Sequence, residues 1–407
     1  MTAKKIRVLV LTSSFPRHKE DWWQRAVLSI YSNMDLKKYD ITVLAPSAPG
    51  AKSSETLEGI KVKRFTYFFP PSLQILTSGE GVLYTSKKRK LLGAIQVVTF
   101  VLAELLSTLR LMASGNYDLI HANWIIPQGL VAIIAKFMFR KPVVITVHGT
   151  DIFAVKKTNF IKGFILKYCD ICTANSSATY EEVLKVYPKT NAAIVHMGVD
   201  IKEFDKKNKD LDWKKQFGNN SKIILGVGRL IKWKGFEYLV RALPRVLKKF
   251  PETSLLIVGK GPEEGNLREL AKHLGVDKNM QLLGSLGPGM LPTVYASADV
   301  VVSPSITIPE TGEREGQGNV VLEARASGTP VVASRSGGLV DSVDGKTNGL
   351  LFEEKDYKAL ARNIISIFSD NTLREKLSKN GLELIREKYP WKKTSARFGK
   401  IYEDLAN

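Results

Sequence analysis

The strongest constraint in this sequence is an alternation that runs through it twice. Short β-branched apolar runs, each closed by turn residues, take turns with longer helical segments. Ile6–Leu11 is such a run and ends in Thr12-Ser-Ser. It reads as a buried strand. A helix-like segment, Trp22 to Met34, follows, then strand Asp40–Pro46 and a third extended run, Val62–Phe69, stopped by Pro70-Pro71. Leu91 to Ala113 is apolar enough to approach bilayer length, but Glu104 inside it would be costly at a bilayer centre. It reads as a crossover helix covering a sheet, with one face on a membrane surface. Strands Tyr117–Trp124, Pro142–Gly149, Asp170–Asn175 and Ala193–His196 continue the order, with helix Gln128–Phe139 between the first two. Strand–helix–strand order at this spacing requires a parallel sheet covered on both faces.

Lys202 to Asn220 is polar and lysine-rich and makes the best boundary. The pattern then restarts. Strands are expected at Lys222–Val227, Ser254–Gly259, Met280–Leu283, Asp299–Ser303, Pro330–Ala333 and Leu350–Phe352, with helices at Gly235–Phe250, Glu263–Leu274 and Met290–Ala298. Pro244 is expected to kink its helix. Two doubly wound α/β domains, 1–201 and 202–390, account for 407 residues better than one core does. Ligands of such sheets bind beyond the carboxyl ends of the strands, so two facing sheets would form an interdomain cleft.

One stretch departs from plain strand and helix. Glu315-Gly-Gln-Gly-Asn-Val-Val-Leu-Glu323 places glycines before a short apolar run. With Asn319 as N-cap and Gly328 as C′ residue, the run is a helix of about two turns. A glycine-rich loop opening a helix presents free N–H groups and the positive dipole end, a seat for phosphate. Glu323 lies among Val320, Val321, Leu322, Ala324 and Ala326, so its carboxylate needs a partner, and sugar or ribose hydroxyls are suitable donors. The plain alternative is a solvent-facing Glu beside Arg325. Gly226-Val-Gly-Arg-Leu-Ile-Lys-Trp-Lys-Gly235 sets Arg229, Lys232 and Lys234 at a strand's carboxyl end. Two cations there could stabilise a departing diphosphate, because a charge pair at 4 Å is worth roughly 4 kcal/mol at an effective dielectric of 20. The spacing is not a Walker A, and Gly259-Lys-Gly261 is only a loose glycine pattern. His148 ends a strand before the turn Gly149-Thr-Asp151; His121 is placed similarly. Asp210-Leu-Asp212 reads as helix-start chemistry rather than a metal site.

The net charge of +20 admits nucleic acid, an anionic membrane face or an anionic substrate. No zinc-finger, homeodomain or RNA-recognition signature accompanies it, so nucleic acid is not the expected partner. Cys169 and Cys172 form a lone C-x-x-C without a second pair and read as small residues in and beside a strand. The start, Met1-Thr-Ala-Lys-Lys, leads into too few apolar residues for a secretory signal, and a cytoplasmic setting is expected.

Taken together, these residues resemble the retaining glycosyltransferases of family 4, with the GT-B architecture. Gly228-Arg-Leu with Lys234-Gly235 resembles that family's diphosphate-binding segment, and Glu315 and Glu323 match its E-x7-E. Ile120-His-Ala-Asn-Trp, Pro127-Gln-Gly129, Val147-His-Gly-Thr-Asp151, Ala174-Asn-Ser176 and Gly198-Val-Asp200 carry it through the first half. The resemblance implies that Arg229 and Lys234 bind the donor diphosphate and Glu323 the ribose. It implies that Glu315 holds the transferred sugar, that the amides of Gly318, Asn319 and Val320 face sugar or phosphate, and that His148 contacts donor or acceptor near the reacting carbon. It also implies retention of configuration, no metal and no cofactor beyond the nucleotide-sugar substrate. Tyr389-Pro-Trp391 resembles the place where a last helix, 391–407, returns to the first domain.

Three features depart from the family pattern. Ser14–Asp21 lacks the usual paired glycines, His196-Met-Gly replaces Pro-Asn-Gly, and Glu310 and Glu313 add acids before Glu315. The expected activity is sugar transfer to a glycan or lipid-linked acceptor. Lys87–Lys90 beside the apolar run, with Tyr67-Phe-Phe69, suggests attachment to the inner face of an anionic membrane. An epimerase or phosphorylase of the same fold, or a charge-driven nucleic-acid binder, are the alternatives.

Overall fold

The computed structural model describes residues 4–18, 21, 24–76, 90–154, 156–218, 221–287 and 289–406. The chain forms two compact units. One comprises Met1–Asn175, Thr179–Val195 and Trp391–Asn407; the other comprises Ser176–Ala178 and His196–Pro390. The division therefore falls before residue 201, where the charge pattern placed it. Segment 196–200 belongs to the second unit because Gln317 grips Met197 from both sides. Its Oε1 accepts from Met197 N at 2.7 Å and its Nε2 donates to Met197 O at 2.9 Å. Val199 N also donates to Tyr389 O at 2.8 Å.

Among its described residues the first unit carries an eight-stranded sheet in the order β3-β4-β2-β1-β5-β6-β7-β8. The strands are β1 Ile6–Leu11, β2 Tyr39–Pro46, β3 Ser54–Leu57, β4 Ile60–Phe65, β5 Leu119–Asn123, β6 Val143–Val147, β7 Ile171–Ala174 and β8 Ala192–Ile194. All pairs are parallel except β3–β4, an antiparallel hairpin at the edge. Sequence pattern misses β3 because Ser54-Glu-Thr-Leu57 is polar, and it places β4 slightly late. Helices Lys90–Ser114, Leu130–Phe139 and Asn159–Tyr168 pack side by side, as right-handed crossovers in one direction require. Helices Arg25–Ser32 and Trp391–Ala406 pack together, the first against β4 and the second on β1 and β5. The expected start of the first helix at Trp22 and the Lys87–Arg89 part of the basic cluster lie outside the described residues.

The second unit has a six-stranded, all-parallel sheet among its described residues, ordered β11-β10-β9-β12-β13-β14. Its strands are β9 Lys222–Val227, β10 Thr253–Val258, β11 Met280–Gly284, β12 Val300–Ser303, β13 Val331–Ser334 and β14 Leu350–Phe352. The order reverses between β9 and β12, so crossovers to one side and the other put helices on both faces. Helices Phe236–Leu247, Glu264–His273 and Tyr357–Ser369 bury one apolar layer, including Leu239, Leu243, Leu255, Ile257 and Ile364. Helix Phe236–Leu247 runs across Pro244 without ending there. Asp210 caps helix Leu211–Lys215 by accepting from Asp212 N and Trp213 N. Cys169 and Cys172 are free thiols, Cys172 buried within β7.

Candidate functional site

In the second unit the chain leaves β9 through Gly228 at φ 152°, whose N–H donates to Val258 O at 2.9 Å. This crowds two backbones together. A Cβ on Gly259 would meet Gly228 O at 1.8 Å, and one on Gly261 would meet Leu230 O at 2.3 Å. The Gly259-Lys-Gly261 pair is therefore a packing requirement of the 228–230 loop, not a nucleotide fingerprint. Gly235, at φ 65°, brings the same loop against the turn after β12, where a Cβ would strike Pro304 O at 2.0 Å. Ile306 N donates to Trp233 O at 2.8 Å, and Trp233, Ile306 and Ile308 form a small apolar cluster that fixes the two loops.

This junction delivers Lys234 to Glu315. Their Nζ–Oε2 distance is 2.7 Å, and Ser305 Oγ donates to the same oxygen at 2.9 Å. Glu315 is 6% exposed. Lys234 also lies over the Trp233 ring, 4.6 Å from its centroid. Arg229 and Lys232 are exposed on the same loop, next to the Lys234 stem that passes 3.5 Å from the Cβ position of Gly228.

The turn after β12 then opens helix Asn319–Ala326. Asn319 is the first helical residue rather than the N-cap: Gly318 takes that place with φ 83° and ψ 61°, a left-handed conformation closed to most side chains. A Cβ on Gly318 would also meet Leu339 at 2.4 Å. Asn319 is exposed and Val320 half-buried, and the first amides of a helix have no acceptor within it. One turn further on, Glu323 Oε2 accepts from Tyr295 OH at 2.7 Å. Burial pushes the Glu323 carboxyl up to about 7, partly offset by Tyr295 and Lys234 and reinforced by Glu203. Its supposed companion Arg325 is buried instead, donating to Asn348 O and Oδ1 at 2.7 Å and to Ser342 O. The extra acids stand apart from this cluster: Glu313 serves Thr311 at 2.9 Å, and Glu310 is exposed. The structure thus gathers Arg229, Lys234, Glu315, Gly318, Asn319, Val320 and Glu323 at the carboxyl ends of β9 and β12.

His148 belongs to the first unit, just past β6. Its N–H donates to Asp151 Oδ1 at 3.0 Å and its carbonyl accepts from Asn175 Nδ2 at 3.0 Å. The ring stacks on Trp124 at 4.7 Å, and Nε2 meets Asn123 Oδ1 at 3.1 Å. Trp124 has φ 77°, a strained conformation for a bulky residue. Burial lowers His148 to about 4, so the ring is neutral, and Asn123 Oδ1 selects the Nε2–H tautomer. Asn123 is oriented in turn by donating to Tyr31 OH at 2.9 Å. Tyr31 OH and Tyr402 OH both reach His121 Nδ1, at 2.8 and 2.5 Å, and His121 Nε2 meets Thr146 Oγ1 at 2.7 Å. His121 is therefore a buried hub, held neutral with its pKa lowered to about 3.

Sequence reasoning missed Tyr295, Gln317, Asn123 and Tyr402. Each acts through a partner at least 25 residues away, so no local spacing marks it. A buried carboxylate that needs a donor was the only available hint toward Tyr295.

Residues 207–384 match the family model described as glycosyl transferases group 1, and residues 24–203 match that of glycosyltransferase family 4. An uncharacterized glycosyltransferase of Methanocaldococcus jannaschii is 30% identical over 326 residues, covering 75% of this chain and 80% of that protein. A GDP-mannose-dependent alpha-(1-6)-phosphatidylinositol monomannoside mannosyltransferase of Mycolicibacterium smegmatis is 28% identical, covering 72% and 78%. Among solved structures, sucrose-phosphate synthase from Thermosynechococcus elongatus superposes with a TM-score of 0.78 at 22% identity, covering 98% of this chain and 99% of that one. Anabaena HepE in complex with UDP and glucose superposes with a TM-score of 0.75 at 20% identity, covering 98% and 100%.

Proposed function

Since this chain belongs to the group 1 glycosyltransferases of family 4 and has their GT-B fold, we propose that it moves a sugar from a nucleotide-sugar donor to a glycan or lipid-linked acceptor, with retention of anomeric configuration. The observation that carries this reading is the cluster around the 319–326 helix start. It combines a lysine fixed on Glu315, the left-handed glycine that opens the helix and two carboxylates that have little water to compete with their ligands.

In this reading Arg229 and Lys234 neutralise the donor diphosphate, together with the amides of Gly318, Asn319 and Val320. Transfer breaks the bond between the anomeric carbon and the phosphate oxygen, and the electron pair leaves with the diphosphate. A hydroxyl oxygen of the acceptor forms the new bond and gives its proton to the freed oxygen of the departing diphosphate. Glu323, ionised, accepts from ribose hydroxyls. Glu315 positions both Lys234 and the sugar, and His148, as a neutral ring with Nδ1 as its acceptor nitrogen, contacts a sugar hydroxyl near the reacting carbon. The lysine and arginine take the part a metal would play, so transfer proceeds in excess chelator. The GDP-mannose-dependent mannosyltransferase of Mycolicibacterium smegmatis supports a GDP-linked donor and a lipid acceptor, and HepE in complex with UDP and glucose supports a UDP-linked donor. The setting is cytoplasmic, at the inner face of an anionic membrane.

A thermal-shift screen of UDP- and GDP-sugars, followed by product analysis with the stabilising donor and chelator present, tests the reading. The expected result is stabilisation by one nucleotide class and a glycosidic product of unchanged anomeric configuration. Stabilisation by none, an inverted product or an epimerised free nucleotide sugar would overturn it.

A further inference from the structure

The first unit carries an apolar surface that the donor site does not use. On helix Lys90–Ser114, Leu91, Ile95, Val98, Leu102 and Leu106 are all exposed, Leu91 by 78%. Their spacing of three and four residues makes a single stripe along the helix. The helix is not apolar all round: Gln96, Glu104 and Thr108 are fully buried on its inner side. Glu104 meets Gln128 Nε2 at 3.2 Å, and burial pushes its carboxyl up to about 8. The helix is therefore fixed to the protein along one side and presents the other.

The neighbouring helices extend the same surface. Phe137 and Met138 are exposed at the end of Leu130–Phe139, and Phe160 and Phe164 on Asn159–Tyr168. Phe164 and Phe137 both pack on Tyr168, which ties the two helices into one patch. At the other end, Gln96 accepts from Ile75 N and donates to Leu73 O, so exposed Leu73 is moored to the start of this helix. Soluble proteins rarely leave such a contiguous area bare.

Charge decides what covers it. Glu104 is the only carboxylate on these three helices, and it points inward. Arg110, Arg140, Lys156, Lys157 and Lys167 are exposed on the helices and their flanks. Asp170, just beyond, is taken by Lys136 at 2.6 Å. Lys162, the remaining lysine of the third helix, is turned inward onto Ile152 O and Ala154 O. A second copy meeting this face would set cation against cation. A helix of this length spans about 37 Å, and lying flat it can place its stripe at the depth of the acyl boundary while cations meet lipid phosphates.

We infer that the outer face of helices Lys90–Ser114, Leu130–Phe139 and Asn159–Tyr168 is a docking surface for an anionic lipid bilayer. This rests on the proposed transfer to a lipid-linked acceptor only for its purpose; the surface itself stands on exposure and charge.

The full-length protein is mixed with phosphatidylcholine vesicles, with and without phosphatidylglycerol, and floated at low and high salt. The expected result is flotation with the anionic vesicles, weakened by salt. Val98→Glu with Leu102→Glu, and separately Phe160→Ser with Phe164→Ser, should each reduce bound protein by about tenfold. Leu211→Glu, at an exposed apolar residue of the second unit, should not change it. Nucleotide thermal shifts show that each variant is folded. No flotation at low salt, flotation of both double variants equal to the parent, or a dimer that these variants dissolve would overturn the docking surface. Failed flotation with intact sugar transfer refutes the surface and the membrane setting and leaves the proposed reaction standing. Intact flotation without transfer from any nucleotide sugar refutes only the proposed reaction.

Discussion

Lys234 Nζ stands 2.7 Å from Glu315 Oε2, and the two side chains are only 15% and 8% exposed. The pair joins the loop after β9 to the turn after β12. Removing one partner leaves the other buried without a counter-charge, which costs about 3 kcal/mol or more. Lys234→Ala is expected to lower the urea-derived stability by that amount and transfer by about 100-fold. Unchanged turnover in this variant would remove Lys234 from the donor site.

Glu323 offers a sharper signature because its carboxyl titrates near pH 7. The ionised form accepts at both oxygens, whereas the protonated form turns one of them into a donor. Nucleotide affinity of the parent is therefore expected to weaken as pH falls through about 7. Glu323→Gln should bind about tenfold more weakly, in keeping with one lost charged hydrogen bond, and lose this pH trend. Calorimetry at several pH values measures both; the same trend in parent and variant would contradict the assignment.

Two histidines and two glutamates are among the shifted groups that shape stability against pH. His121 and His148 are held neutral below the usual histidine range, near 3 and 4, so they stabilise above about 6.5 and that contribution is lost as pH falls toward the folded values. Glu104 and Glu323 are raised to about 8 and 7, so their contribution is complete below about 4.5 and is lost as pH rises through the folded values. Between these limits the opposite slopes offset each other. Urea midpoints are expected to be flat from about pH 4.5 to 6.5 and to fall on either side. Glu104→Gln should reduce the alkaline fall; an unchanged profile would show that Glu104 is already ionised in the folded chain.

Gly337 has φ 50°, and a Cβ there would meet Glu315 O at 1.9 Å. Gly337→Ala must push the Glu315 turn away from Lys234. Transfer should fall by at least about tenfold although residue 337 carries no reactive group. Wild-type rates together with wild-type stability would mean that the turn can shift freely.

Asn123 holds His148 through a 3.1 Å contact and is itself aligned by Tyr31. Asn123→Leu is expected to release the ring into both neutral tautomers, visible in the nitrogen chemical shifts of His148, and to lower kcat more than it raises KM. Tyr402→Phe should have the same sign and a smaller effect, since it acts through His121 and Tyr31. A single unaltered tautomer in the Leu variant would show that Trp124 stacking alone fixes the ring.

Much of the second unit was legible because its strands are continuous β-branched runs and its loops change character abruptly at glycine. The first unit was less so. Strand β3 is polar, and the helix start at Gly318 was assigned to Asn319 because side-chain capping preference outweighed a glycine whose value is conformational. Among the residues that carry chemistry, Arg229, Lys234, Glu315 and Glu323 stood out by type and spacing. Tyr295, Gln317 and Asn123 did not, because tyrosine, glutamine and asparagine are common and only a partner gives them a role.

The sequence by itself determined two α/β halves and the identity of the charged groups at the strand ends, because periodicity and turn chemistry are local properties. Tertiary structure alone decided which of those groups meet. It paired Lys234 with Glu315, buried Arg325, neutralised His121 and His148, and turned the leucine stripe of helix Lys90–Ser114 outward. Those outcomes depend on desolvation and on contacts across tens to hundreds of residues, and such energies belong to the packed chain and not to any segment of it.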